Sequence, residues 1–164
     1  MPIPTKDLYV AQANQPGIVS EHRDGENIIS RKADSAVAFG RGVKDTDTDG
    51  EATVFNSSTG VFSGVALYAP QAAGVDSQTY NDLEDMAVLR AGVVSVYSSE
   101  AVNPTADVRV LHTASGALNA GDFRVSAIAT ATAKINGARW AEKTTAAGYA
   151  KLELFGGETI TADT

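Results

Sequence analysis

The sequence predicts an all-β protein: a small β-barrel or a jelly-roll-like β-sandwich with an extended N-terminal arm. Three observations predict it. Turn dipeptides recur at short intervals (Pro16-Gly17, Asp24-Gly25, Asp49-Gly50, Thr59-Gly60, Ser115-Gly116, Asn136-Gly137, Gly156-Gly157), which leaves room only for short elements. No segment carries a helical apolar stripe over three turns. Val and Thr, which suit a pleated surface, are abundant, while Leu, Lys and Met are sparse.

The elements follow in chain order. Residues 1–34 hold three prolines, mixed charge and only Ile18-Val19 and Ile28-Ile29 to bury, so they read as an arm with room for one strand, ordered by contacts made elsewhere. A β-rich core is expected over 35–156. Ser35–Gly40 reads as a strand, and Phe62–Ala69 as another, ended by Pro70. Met86–Arg90 and Val93–Ser98 flank Ala91-Gly92, a two-residue connection suited to a tight hairpin. Asp107–Thr113 places Val108, Val110 and His112 on one face and Arg109 and Leu111 on the other. Ala127–Ala133 fits either a strand or a small-residue packing segment. Ile135–Trp140 and Tyr149–Phe155 read as a closing hairpin around Thr144–Gly148, with Ala150, Leu152 and Leu154 alternating with Lys151 and Glu153 as in a sheet with one wet face. Ala72–Leu83 is expected to be an exposed loop, and residues 157–164 a trailing tail.

Composition narrows the function classes. The 164 residues suit one domain, and 43% hydrophobic with 20% charged residues are globular values. Thirteen basic against twenty acidic side chains give a net charge of −7, which argues against a nucleic-acid partner because phosphate neutralisation needs a basic surplus. No apolar run reaches the length of about 18 residues that spans a bilayer, so no membrane partner is expected. The start, MPIPTKDLYV, lacks the apolar stretch and cleavage site of a secretory signal. The absence of cysteine removes disulfides, thiolate metal sites and thiol nucleophiles together.

The sharpest local motif is Asp45-Thr46-Asp47-Thr48-Asp49-Gly50. Carboxylates at positions 1, 3 and 5 followed by glycine are how a calcium loop gathers oxygens and then turns. Position 12 is Asn56 rather than a bidentate carboxylate, and the flanks read as strands. Asp45, Asp47 and Asp49 are therefore weak candidate calcium ligands, set against a plain acidic hairpin loop, and no other cofactor is expected. His112 sits on an apolar face and reads as a satisfied structural histidine, while His22, in EHRDGE, reads as exposed. Asp82, Glu84 and Asp85 read as a charged rim at a strand start. Trp140 could stack on Arg139, but a lone tryptophan in a hairpin reads as core. No zincin, nucleophile-elbow or phosphate-loop motif is present, and Gly40-x-Gly42 lacks the continuation of a dinucleotide fingerprint. The residues yield no enzyme; they suit a binding or structural module.

Read in order, Pro16-Gly17-Ile18, AVAFGRGV (36–43), FSGVALYA (62–69), MAVLRAGVVSVYSSEAVNPTADVRVLHT (86–113), GDFRVS (121–126) and INGARWAEKTTAAGYAKLEL (135–154) resemble the structural cement proteins of tailed bacteriophages. The resemblance runs from about residue 16 to 154, and its most specific piece is the closing G-A-R-W strand, Thr/Ala/Gly turn and A-x-L-E-L strand. It implies a virion protein on the exterior of the phage head, bound to the major capsid protein and to itself as a symmetric homodimer or homotrimer, with no catalytic residues. A module of another class, binding calcium or glycans as adhesins do, is the alternative, and it rests on the acidic loop and the long loops.

Overall fold

The computed structural model describes residues 15–21, 25–69 and 78–164. The described residues form β-strands and no helix: β1 (Val19–Glu21), β2 (Asn27–Ala33), β3 (Val37–Ala38), β4 (Gly42–Asp45), β5 (Glu51–Val54), β6 (Phe62–Ala66), β7 (Thr79–Tyr80), β8 (Asp85–Ser98), β9 (Arg109–Leu111), β10 (Phe123–Arg124), β11 (Thr132–Asn136), β12 (Arg139–Trp140), β13 (Gly148–Phe155) and β14 (Thr159–Ala162).

One strand organises the rest. β8 runs for 14 residues and is paired along both edges. Its first half closes a ring: β8 pairs β2, β2 pairs β5 in parallel, β5 pairs β4, β4 pairs β6, and β6 returns to β8. This is a closed five-stranded barrel, which leaves no free edge within the ring. The second half of β8 leaves the ring and pairs with β13 over eight residues, from Gly148↔Ser98 to Phe155↔Ala91. β12 adds to β13, and β10, β9, β11 and β14 continue the sheet in that order.

A bulge lets one strand serve both halves. Opposite β2 the register passes from Asn27↔Ala91 to Ile28↔Leu89, so Arg90 has no partner there. An extra residue reverses which side chains face which side. Before the bulge, Met86 and Val88 point into the barrel and Leu89 into the second cluster; after it, the even-numbered Val94 and Val96 join Leu89. Gly92 lies two residues on at φ +134°, a conformation that side-chain-bearing residues rarely adopt.

The core is accordingly double. The barrel interior holds Ala33, Val43, Ala52, Ala66, Met86 and Val88 from the five ring strands, with Phe39 and Tyr80 stacked edge-on at 5.1 Å. The Tyr80 hydroxyl donates to the Leu67 carbonyl at 2.9 Å, which satisfies its polar end. The larger cluster lies between the barrel wall and the second sheet and is built from Phe55, Phe62, Val65, Leu89, Val110, Phe123, Trp140 and Leu152, among others.

The barrel is one of the two architectures expected, and several local expectations change. The hairpin at Ala91-Gly92 does not form; the Gly serves the bend of a continuous strand. Residues 18–33, expected as arm, supply β1 and β2, which lie end to end along one edge of β8. Residues 1–14 lie outside the described residues, as do residues 72–77 of the expected loop and His22. The expected strand Ser35–Gly40 shortens to β3, which among the described residues pairs only with β7. The closing hairpin is half right: Arg139↔Glu153 and Trp140↔Leu152 pair as expected, but Ile135 and Asn136 belong to β11, which joins β9 and β14. The expected tail contains β14, held by four register pairs to β11 and by Asp163, which accepts from Arg109 Nε (3.2 Å) and Thr132 Oγ1 (2.6 Å).

Candidate functional site

The acidic loop joins β4 to β5 as a hairpin. Asp45 ends β4 and accepts from Arg31 Nε at 2.9 Å. Partial burial pushes its carboxyl up, but the Arg31 and Ser63 hydrogen bonds and the Arg31 charge outweigh that and hold it below the usual range. Asp47 shares a cleft with Asp45, Asp34, Asn56 and the Lys44 side chain, while Asp49 is not in that lining and is exposed. The structure thus brings together two of the three candidate carboxylates, one already paired with a guanidinium. Among the described residues, no three His, Asp or Glu side chains are grouped to hold a metal ion. Ligand binding to the native state raises the melting midpoint, so calcium at about 1 mM is expected to move it by less than ~1 °C. A larger rise, read by calorimetry, would restore the calcium reading.

The other titratable candidates serve the framework. Glu84 Oε2 accepts the Asn81 backbone N–H at 2.7 Å and closes the turn before β8, while Asp82 and Asp85 are exposed beside it. His112 is buried, with Nδ1 3.0 Å from Thr113 Oγ1; its Nε2 meets no partner among the described residues, so the histidine is only half satisfied. Trp140 is fully buried and donates Nε1–H to the Asp107 carbonyl at 3.2 Å. Arg139 stacks over Phe155, 5.4 Å from the ring centroid, rather than on Trp140, and pairs with Glu153. Glu100, which no motif flagged, accepts from the backbone N–H groups of Ser126 (2.8 Å) and Val125 (3.2 Å) and pairs with Arg124, tying the end of β8 to the loop after β10. Burial pushes its carboxyl up, but these donors hold it below the usual range.

The surface carries more information than the carboxylates. Tyr97 and Tyr149 are directly opposite on β8 and β13, edge to face at 6.0 Å, and both are partly exposed. They border a cleft of about 320 Å3 with Phe39, Leu118 and Pro16. Arg41 and Asp122 lie in the same lining and pair at 3.2 Å, with Arg41 also donating to the Ala120 carbonyl. Burial raises the Asp122 carboxyl despite its Asn119 and Arg41 partners. The cleft offers aromatic contact area beside the Arg41–Asp122 ion pair.

The sequence pattern described as "Structural cement protein (E217 gp24/Pam3 gp6)" matches residues 8–155. The chain belongs to this family of phage cement proteins. A solved chain from the capsid of Myoviridae Phage XM1 shares the fold at a TM-score of 0.68 and 17% identity, covering 86% of this chain and 89% of that one. No curated protein matches the sequence significantly. The role of the cement protein is structural, as a component of the phage capsid, and the comparisons give no support to a calcium- or glycan-binding module. The family's description covers both halves of the fold, barrel and second sheet, but ends at residue 155, before β14.

Proposed function

We propose that this cement protein binds the outer surface of the phage head where major capsid protein subunits meet, as a symmetric homodimer or homotrimer, and clamps them against the pressure of packaged DNA. The family match over residues 8–155 carries the reading. The physics supports it: a shell offers many equivalent sites, and a small symmetric oligomer engages several at once, so weak contacts add through effective concentration. The Tyr97–Tyr149 cleft supplies the rigid aromatic surface that protein interfaces favour. No chemistry is required; holding neighbours together raises the cost of separating them.

The deciding experiment mixes purified protein with cognate heads that lack it, sediments them, and heats both samples. Saturable binding at a fixed ratio to the major capsid protein, with DNA released at a higher temperature, is the expected result, and the ratio reads the oligomer. Heads that sediment bare, or that release DNA at an unchanged temperature when decorated, would overturn the reading.

A further inference from the structure

We propose that the outer edge of β14 is a self-pairing surface, on which a second copy of this chain adds its own β14 antiparallel across a two-fold axis. The proposal rests on the homo-oligomer named above and identifies the surface that builds it. Among the described residues β14 ends the sheet and pairs only with β11. The Asp163 N–H donates to Thr132 and the Asp163 carbonyl accepts from Thr130, so Asp163 turns toward β11. Backbone direction alternates along a strand, so Thr161 and Thr159 also face β11, and Ile160 and Ala162 present their N–H and C=O outward. Among the described residues no backbone hydrogen bond reaches that outer edge.

The edge also lacks the usual protections. It reads Thr-Ile-Thr-Ala, without lysine, proline or bulge, and its register with β11 is unbroken. Val61, 70% exposed, stands beside it in a cleft of about 220 Å3 shared with Thr159 and Ile160. Such an edge takes an extended strand.

Charge and register single out a second copy as that strand. Antiparallel hydrogen-bonded pairs must match outward residues with outward residues. The register that uses both is Ile160 opposite Ala162 of the second copy, which puts Thr161 opposite its own equivalent on the axis. Glu158 then faces Thr164 and Asp163 faces Thr159, so no carboxylate opposes another. Thr–Thr pairs on one face are favourable, whereas like charges directly opposite are not. A two-fold pairing closes on itself, so it makes a dimer and not a fibre. β14 lies beyond the family-matched residues 8–155.

The protein has no cysteine, which makes the test clean. On the axis the two Thr161 positions form a non-hydrogen-bonded pair, with Cα atoms roughly 4.5 Å apart, inside the span of about 4.4–6.8 Å that a disulfide bridges. Thr161→Cys under mild oxidation should run at twice the monomer mass on a non-reducing gel, far faster than the collision control Asp49→Cys. Adding Ala162→Pro, which removes an outward N–H without touching the β11 ladder, should abolish the cross-link. In parallel, wild-type sedimentation velocity should show a dimer that Ala162→Pro dissociates, which decides the matter even if the cysteine variant misfolds. Thr161→Cys linking no faster than Asp49→Cys, or a monomeric wild type, overturns the pairing. If that same protein still decorates heads at saturation, the cement role stands and only the β14 surface falls.

Discussion

Gly64→Ala is expected to destabilise the protein by at least about 4 kcal/mol, enough to abolish cooperative folding of an ordinary domain. Gly64 lies in β6, the strand that closes the barrel against β8. Its φ is +142°, and a Cβ built there would stand 2.1 Å from the Leu89 carbonyl oxygen and 2.9 Å from the Leu89 carbonyl carbon. Those atoms are backbone of the central strand, so no rotamer change relieves the clash. The seam must open, or β8 must move, and β8 carries both halves of the fold. A tightly packed interior transmits such a displacement rather than absorbing it. Circular dichroism and near-ultraviolet melting of the purified variant check this, and a midpoint within a few degrees of the parent would show that the ring is not closed at β6 and β8.

The all-β character was readable because it depends on local chemistry: turn residues at short intervals and alternation within each strand. Trp140 as core and the acidic stretch as a hairpin loop were readable for the same reason. The arrangement of β8 was not. An X-Gly step between two apolar runs is the same local signal whether the chain reverses or merely bends at a bulge. What decides at Ala91-Gly92 is β2 and β13, about 65 residues before and about 60 after, which pair across the bend and hold the strand straight through. β14 escaped for a related reason. Its four residues acquire a partner only once Ile135 and Asn136 leave the expected closing hairpin for β11, and Asp163 finds Arg109 only in the folded sheet.

The surface was less legible than the fold. Tyr97 and Tyr149 lie 52 positions apart and meet only because β13 runs antiparallel to β8 in one register; a slip of one residue would turn both to the other face. Glu100 carries no motif because Val125 and Ser126 reach it through backbone N–H groups, which every sequence possesses, and Arg124 lies 24 residues along the chain. The acidic loop drew attention for the opposite reason. Spacing was visible, but the Arg31 that occupies Asp45 comes from β2, fourteen residues earlier, on a segment expected to be an arm. One piece that carries the family resemblance, by contrast, sits at a junction of the fold. The Gly17 N–H donates to the Ser95 carbonyl and its carbonyl accepts from Tyr68, so the Pro16-Gly17-Ile18 piece ties the chain start to the central strand and to the segment that follows β6.

Trp140→Ala is expected to cost about 3–5 kcal/mol, a fall in melting midpoint of about 10 °C or more for a chain of this size. Trp140 is the largest fully buried side chain and sits in the cluster between the barrel wall and the second sheet. Truncation leaves a cavity there and strips the Asp107 carbonyl of its Nε1–H donor, so a transfer loss and an unsatisfied acceptor add. Trp140→Phe separates them, since phenylalanine refills most of the volume but donates nothing; it should recover more than half of the lost stability if packing dominates. The position of Trp140 makes the result informative about architecture. It belongs to the larger cluster and not to the barrel interior lined by Met86, Val88 and Tyr80. Loss of the second sheet alone would leave the ring of β2, β4, β5, β6 and the first half of β8 paired, and hydrogen exchange would show protection surviving in those strands. Uniform loss of protection across both halves would show instead that β8 couples them into one cooperative unit, the outcome expected of a strand shared by both sheets. Such coupling suits a cement protein, because a load applied to one face is then carried by the whole molecule.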